Sequence, residues 1–107
     1  MDDLTELLKG VLEGAVLQIL KRGDNYGYEI VRALNSVGFE SVSQGTVYPI
    51  LVRLEKKRLV DVSTQRSELG PPRKVYALNP AGAAELAAFW ERWDFVSARM
   101  AQIKEEK

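Results

Sequence analysis

At 107 residues, with 46% hydrophobic and 28% charged side chains, the chain has the composition of one globular domain and not of a disordered segment. It contains no cysteine and no histidine, which excludes disulfides, thiolate metal sites, cysteine nucleophiles and histidine-based catalytic triads. Fifteen basic side chains balance fifteen acidic ones, so any attraction to a polyanion must come from their distribution and not from their sum.

The distribution is uneven. Between Arg53 and Lys74, Arg53, Lys56, Lys57, Arg58, Arg66, Arg73 and Lys74 outnumber Glu55, Asp61 and Glu68. No apolar run is long enough to span a bilayer. The acidic start Met1-Asp2-Asp3 lacks the basic region of a secretory signal, so a cytoplasmic protein without membrane partners is expected. With no glycine-rich phosphate loop and no paired-carboxylate constellation, neither an enzyme nor a metal or cofactor site is expected.

Taken in order, the chain first predicts a helix from Asp2 to Lys21. Leu4, Leu7, Leu8, Val11, Leu12, Ala15, Val16, Ile19 and Leu20 recur at helical spacing. That surface is wider than one core contact needs, so Leu8, Val11 and Leu12 are candidates to face a second subunit. Gly10 and Gly14 share a face and would allow close helix approach. Arg22-Gly23-Asp24-Asn25 stops the helix. A second helix, from Tyr26 to about Val37, has Ile30, Val31 and Leu34 on its inner face, and Phe39–Val42 reads as a connection that pairs briefly as a strand.

Ser43 is the expected N-cap of the next helix, its hydroxyl accepting from a backbone N–H of the first turn. Val47, Ile50, Leu51 and Leu54 form the inward face, and Pro49 argues for a start near Gln44–Val47 that keeps it in or near the first turn. Leu59–Thr64 and Lys74–Leu78 read as strands around a loop, Ser67–Pro72, which makes a hairpin. Asn79-Pro80 starts a last helix, Asn79 as N-cap and Pro80 at the first helical position. In it Leu86, Trp93 and Met100 are seven apart, and Phe89, Val96 and Ile103 interleave with the same period. This short heptad seam suits a second copy of the chain. The fold class is therefore α+β, mainly α with a small β-hairpin: a winged helix-turn-helix over residues 1–79, then a C-terminal dimerisation helix over 80–107.

With that order of elements, the chain resembles the PadR family of transcriptional regulators, in its short form with one C-terminal helix. The resemblance rests on Leu7–Leu20 (LLKGVLEGAVLQIL), Asn25–Ile30 (NYGYEI), Ser43–Glu55 (SQGTVYPILVRLE), Leu59–Val60, Gly70–Tyr76 (GPPRKVY), Leu78 and Gly82, nearly the whole chain. It implies a homodimer formed through the first and last helices, repression of nearby promoters, and release by a small aromatic or amphipathic ligand. Two positions depart from the family pattern: Arg58 stands where glycine is usual, just past the third helix, and Asn79 replaces a common threonine.

The helix from Ser43 is then the recognition helix. Gln44 would meet a base edge in the major groove, Ser43, Thr46 and Tyr48 would bond bases or phosphates, and Gly45 would allow close approach. Tyr28, Arg53, Lys56, Arg66, Arg73 and Lys74 are candidate phosphate contacts. The plainer alternative is a capped helix with a solvated tip and a solvated basic face. Leu86, Phe89, Trp93, Val96, Met100 and Ile103 are the candidate dimer seam. Trp90 and Trp93 read first as dimer packing and second as the walls of a ligand site on the two-fold axis. A different class of function, a winged-helix module that binds protein and not DNA, has the same elements. It differs in predicting no salt-steep binding to a duplex.

Overall fold

The structure, a computed structural model, describes residues 4–67 and 69–106. Helices α1 (Thr5–Leu8) and α2 (Leu12–Lys21) lead into a short strand β1 (Asn25–Tyr26) and helix α3 (Gly27–Ser36). Then follow helix α4 (Gln44–Lys56), the hairpin β2 (Val60–Ser67) and β3 (Gly70–Leu78), and the long α5 (Pro80–Glu105). The mixed α+β winged-helix class read from the sequence is the class observed.

The expected first helix is broken, and its Asp2 start lies outside the described residues. Gly10, a poor helix former, sits in the gap between α1 and α2, where the Val11 N–H donates to the Leu8 carbonyl in a tighter turn. Gly10 faces open space, whereas Gly14 lies against Phe89 of α5, and a Cβ there would collide with the Phe89 ring. Only one of the two glycines mediates close approach.

Phe39–Val42 is not a strand. The Asn35 side-chain amide donates to the carbonyls of both Phe39 and Val42 (2.8 and 3.0 Å), which holds this segment as a turn. The third strand lies elsewhere: β1 pairs with β3, Asn25 opposite Tyr76 and Tyr26 opposite Val75, giving an antiparallel sheet of order β1-β3-β2. The hairpin is also longer than expected. Its ladder runs from Val60 opposite Leu78 out to Ser67 opposite Gly70, so Pro71 and Pro72 lie within β3. The ladder is irregular between Gln65 and Ser67, across from those prolines, which have no N–H to give to a ladder.

One core joins these elements. Val16, Leu17 and Leu20 of α2, Ile30 and Leu34 of α3, Val47, Leu51 and Leu54 of α4, Val60, Tyr76 and Leu86 are all buried in it. Each helix contributes the apolar stripe that its i, i+3, i+4 spacing predicts. The start of α5 belongs to the same core. Gly82 sits so close to the Leu59 carbonyl and to Leu78 that no side chain fits there. From Glu91 to Glu106, by contrast, every residue is exposed. This bare stretch of α5 contributes to a longest dimension of 61 Å. Leu8, Leu12 and Leu86, expected between subunits, are instead used inside one chain, and Val11 and Phe89 pack half-buried against that core. Trp93, Val96, Met100 and Ile103 remain as an uncovered seam.

Candidate nucleic-acid interface

The start of α4 is held from behind and left open in front. Ser43 is extended (φ −127°, ψ 176°) and its carbonyl accepts from the Thr46 and Val47 N–H groups at 3.0 and 3.1 Å. Its hydroxyl makes no capping bond, contrary to the expectation from its residue type. Ser43, Gln44, Gly45, Thr46 and Tyr48 are exposed, while Val47, Ile50, Leu51 and Leu54 anchor the helix. Free first-turn N–H groups and the helix dipole make this end attractive to anions. A Cβ at Gly45 would meet nothing nearer than the Ser43 Oγ at 3.5 Å, so internal packing does not require a glycine there. Pro49 is the sixth residue of α4 and not in its first turn, so the Gly45 carbonyl lacks its usual donor four residues on.

An open cleft of about 770 Å³ lies between the start of α3, α4 and β3. It brings Tyr28, Gln44, Tyr48, Arg73 and Lys74 together, five residues from three separate parts of the sequence. Register explains how the wing reaches it. Lys74 lies opposite Thr64 and alternates in phase with buried Tyr76, so it shares the inward face of the sheet. Arg73 takes the other face, opposite Gln65, with its guanidinium 5.7 Å from the Tyr26 ring centroid. The Tyr26 hydroxyl donates to Gln65 Oε1 at 3.0 Å, tying β1 to the wing. Burial raises the Tyr76 phenol above its ordinary pKa, with Tyr48 and Glu55 adding to the effect, so it stays a neutral part of the cleft floor.

Tyr28 and Tyr48 are each about half exposed, at 51% and 53%. Arg32, which sequence reasoning passed over, places its guanidinium 5.7 Å from the Tyr28 ring and bonds Glu29 at 3.3 Å. Its signal was available in the i, i+3 and i, i+4 spacing from Glu29 and Tyr28. Thr46 and Arg53 lie elsewhere. They line a smaller groove of about 310 Å³ against α1, with Leu8, Lys9 and Ile50. Among the described residues Lys56, Arg66, Arg73 and Lys74 make no ion pair, whereas Arg53 and Lys57 both bond Glu13 of α2.

The far end of α4 closes in a Schellman turn. The Arg58 N–H donates to the Glu55 carbonyl and the Leu59 N–H to the Leu54 carbonyl, both at 3.0 Å. Arg58 takes the left-handed conformation, φ 60°, that a glycine would occupy more cheaply. The Arg58 carbonyl then accepts from the Asn79 side-chain amide at 2.9 Å, and Asn79 Oδ1 caps α5 by accepting from the Gly82 N–H at 2.8 Å. Arg58 and Asn79, 21 residues apart in sequence, thus touch each other.

On α5 the two tryptophans differ. The Trp90 Nε1–H donates to Gln18 Oε1 of α2 at 2.8 Å, and its ring meets Phe89 edge-on at 5.0 Å. Trp93 is 43% exposed on the bare seam. No helix among the described residues is long and apolar enough to cross a membrane.

The model of the transcriptional regulator PadR-like family matches residues 16–88. A PadR-like transcriptional regulator from Bacillus cereus superposes with a TM-score of 0.83 at 38% identity, over 95% of this chain and 99% of that one. Bacillus subtilis PadR in complex with operator DNA superposes with a TM-score of 0.68 at 25% identity, over 78% of this chain and 48% of that one. The transcriptional regulator YqjI of Escherichia coli is 31% identical over 93 residues, 85% of this chain and 43% of that protein, so the chain spans less than half of that relative. The chain belongs to the PadR-like family of transcriptional regulators.

Proposed function

We propose that the protein is a homodimeric repressor that acts in the cytoplasm on a pseudo-palindromic operator. The observation that carries this is the convergence on one cleft of Gln44 and Tyr48 from α4, Tyr28 from α3 and Arg73 and Lys74 from the wing. The α4 tip enters the major groove, with Gln44 at a base edge and Ser43, Gly45, Thr46 and Tyr48 close to bases and phosphates. Arg66, Arg73 and Lys74 follow the backbone beside the minor groove, and Lys56 and Tyr28 add phosphate contacts. The complex of the Bacillus subtilis relative with operator DNA supports a DNA-binding reading of the fold.

Trp93, Val96, Met100 and Ile103 pack against the same seam of a second copy, which sets the two α4 tips about one helical turn of DNA apart, ~34 Å. A planar aromatic or amphipathic effector would lodge beside Trp93 and its symmetry mate, Trp90 being held by Gln18. No catalytic role is assigned to any residue. The test is a mobility shift with the duplex upstream of the protein's own gene, at two salt concentrations, with and without a panel of aromatic compounds. Salt-steep binding of a dimer is expected. Absence of any shift at low salt would overturn the reading and favour a protein-binding winged helix.

A further inference from the structure

The basic end of the recognition helix is less free than its sequence suggests. Glu13 of α2, three-quarters covered with a side chain 22% exposed, bonds two cations from α4 at once: Arg53 Nε at 3.1 Å from one carboxylate oxygen and Lys57 Nζ at 3.1 Å from the other. Arg53 and Lys57 are four apart, so both lie on the side of α4 that faces α2. They are only half exposed, at 50% and 51%, with their heads turned to the same carboxylate. Lys56, one position before Lys57, is exposed and makes no ion pair among the described residues.

We propose that Glu13 is a specificity-determining positioning residue: it ties the end of α4 to α2 and withholds Arg53 and Lys57 from the phosphate backbone. The inference rests on the DNA-binding reading above. Sequence-independent affinity grows with every phosphate neutralised, while base readout does not, so a regulator gains discrimination by limiting its free cations. Composition gives the region around α4 and the wing seven cations. The structure removes two of them from the count without removing them from the chain. The same fork fixes the azimuth of α4 about its axis, and so the direction in which Gln44 points.

The experiment measures the salt slope of binding to a random-sequence duplex for four proteins: wild type, Glu13→Gln, Lys57→Met and the double variant. Each phosphate contact contributes about 0.9 to the slope of log K against log salt. Glu13→Gln is expected to steepen the slope by up to about 1.8, so that its affinity falls roughly tenfold more than wild type between 50 and 200 mM salt. Lys57→Met is expected to leave the slope of wild type unchanged and to lower that of Glu13→Gln by about 0.9. This coupling separates the proposal from a simple change of net charge, which would make Lys57→Met act equally in both backgrounds. Equal effects, or a Glu13→Gln slope equal to wild type, would overturn it. Should Glu13→Gln fail to fold, Lys57→Met alone decides: a loss of about 0.9 in the wild-type background refutes the withholding of Lys57. Absence of duplex binding by wild type at any salt would instead refute the DNA-binding reading.

Discussion

The two ends of α4 look alike in sequence, each a polar stretch beside an apolar stripe, and the structure treats them oppositely. At the N-terminal end Ser43, Gln44, Gly45 and Tyr48 are exposed, and even the Ser43 hydroxyl makes no capping bond. At the C-terminal end Arg53 and Lys57 are bound to Glu13, Arg58 closes a Schellman turn, and Asn79 ties that turn to α5. A helix that reads a ligand with one end needs the other fixed, because a small rotation about its axis moves every contact at the tip. On the proposed reading, recognition falls to the exposed N-terminal half of α4 and mechanical support to its fixed C-terminal half.

The contrast can be broken most severely from below. Leu54 is fully buried beneath the fixed end, so Leu54→Ala is expected to cost about 3 kcal/mol in denaturant unfolding, through lost transfer energy and the cavity left behind. The junction itself is worth less. Asn79→Ala removes the α5 cap and the bond to Arg58, and about 1 kcal/mol of stability is expected to go with them. Arg58→Gly should act in the opposite direction, raising stability by about 1 kcal/mol, because glycine takes the left-handed conformation without strain. A thermal melt that drops on Arg58→Gly would show that this side chain stabilises the turn in a way its φ does not suggest.

Ser43→Ala should change stability by less than about 0.5 kcal/mol, since no cap bond is lost, while weakening the duplex complex. A stability loss of the usual capping size would mean that the hydroxyl does cap the helix. The smallest effect concerns pH. Burial alone would raise the Glu13 carboxyl, but Lys57 and then Arg53 more than offset it, so its pKa lies below the ordinary 4.5. A depressed carboxyl contributes stability that is present above its unfolded pKa and lost as pH falls through the folded value. The acid side of the stability profile, below about pH 4.5, should therefore be slightly flatter in Glu13→Gln than in wild type. Superimposable profiles would mean that the fork contributes nothing to folding.

Much of this architecture is legible from periodicity. The inner face of α4, the hairpin, the Asn79-Pro80 start and the seam of α5 all follow from local spacing, and local spacing is what a sequence displays. What it hides is pairing at a distance. Glu13 lies 40 residues from Arg53 and 44 from Lys57, and nothing near any of them announces the fork. β1 is too short, at two residues, to show an alternation, and it straddles a helix stop ending at Asn25 and a helix start at Tyr26. Leu8, Leu12 and Leu86 look the same in sequence whether an apolar face meets its own core or a second chain. Phe39–Val42 has strand-like residues, but Asn35 takes its carbonyls first. At the candidate site, residue type and order single out the tip residues and the wing cations, and the spacing from Glu29 and Tyr28 offers Arg32 as well, while the separate placement of Thr46 and Arg53 needed the fold.

The central claim, that α4 reads with its N-terminal tip and the wing holds the backbone, is tested most directly by fluorescence anisotropy on the upstream duplex. Gln44→Ala and Lys74→Ala would each be compared with wild type over a range of salt. Gln44→Ala is predicted to lower affinity by about tenfold or more with the salt slope unchanged, as loss of a base contact does. Lys74→Ala is predicted to lower the slope by about 0.9, as loss of a phosphate contact does. Wild-type affinity in Gln44→Ala, or a slope that Lys74→Ala leaves unaltered, would contradict the account.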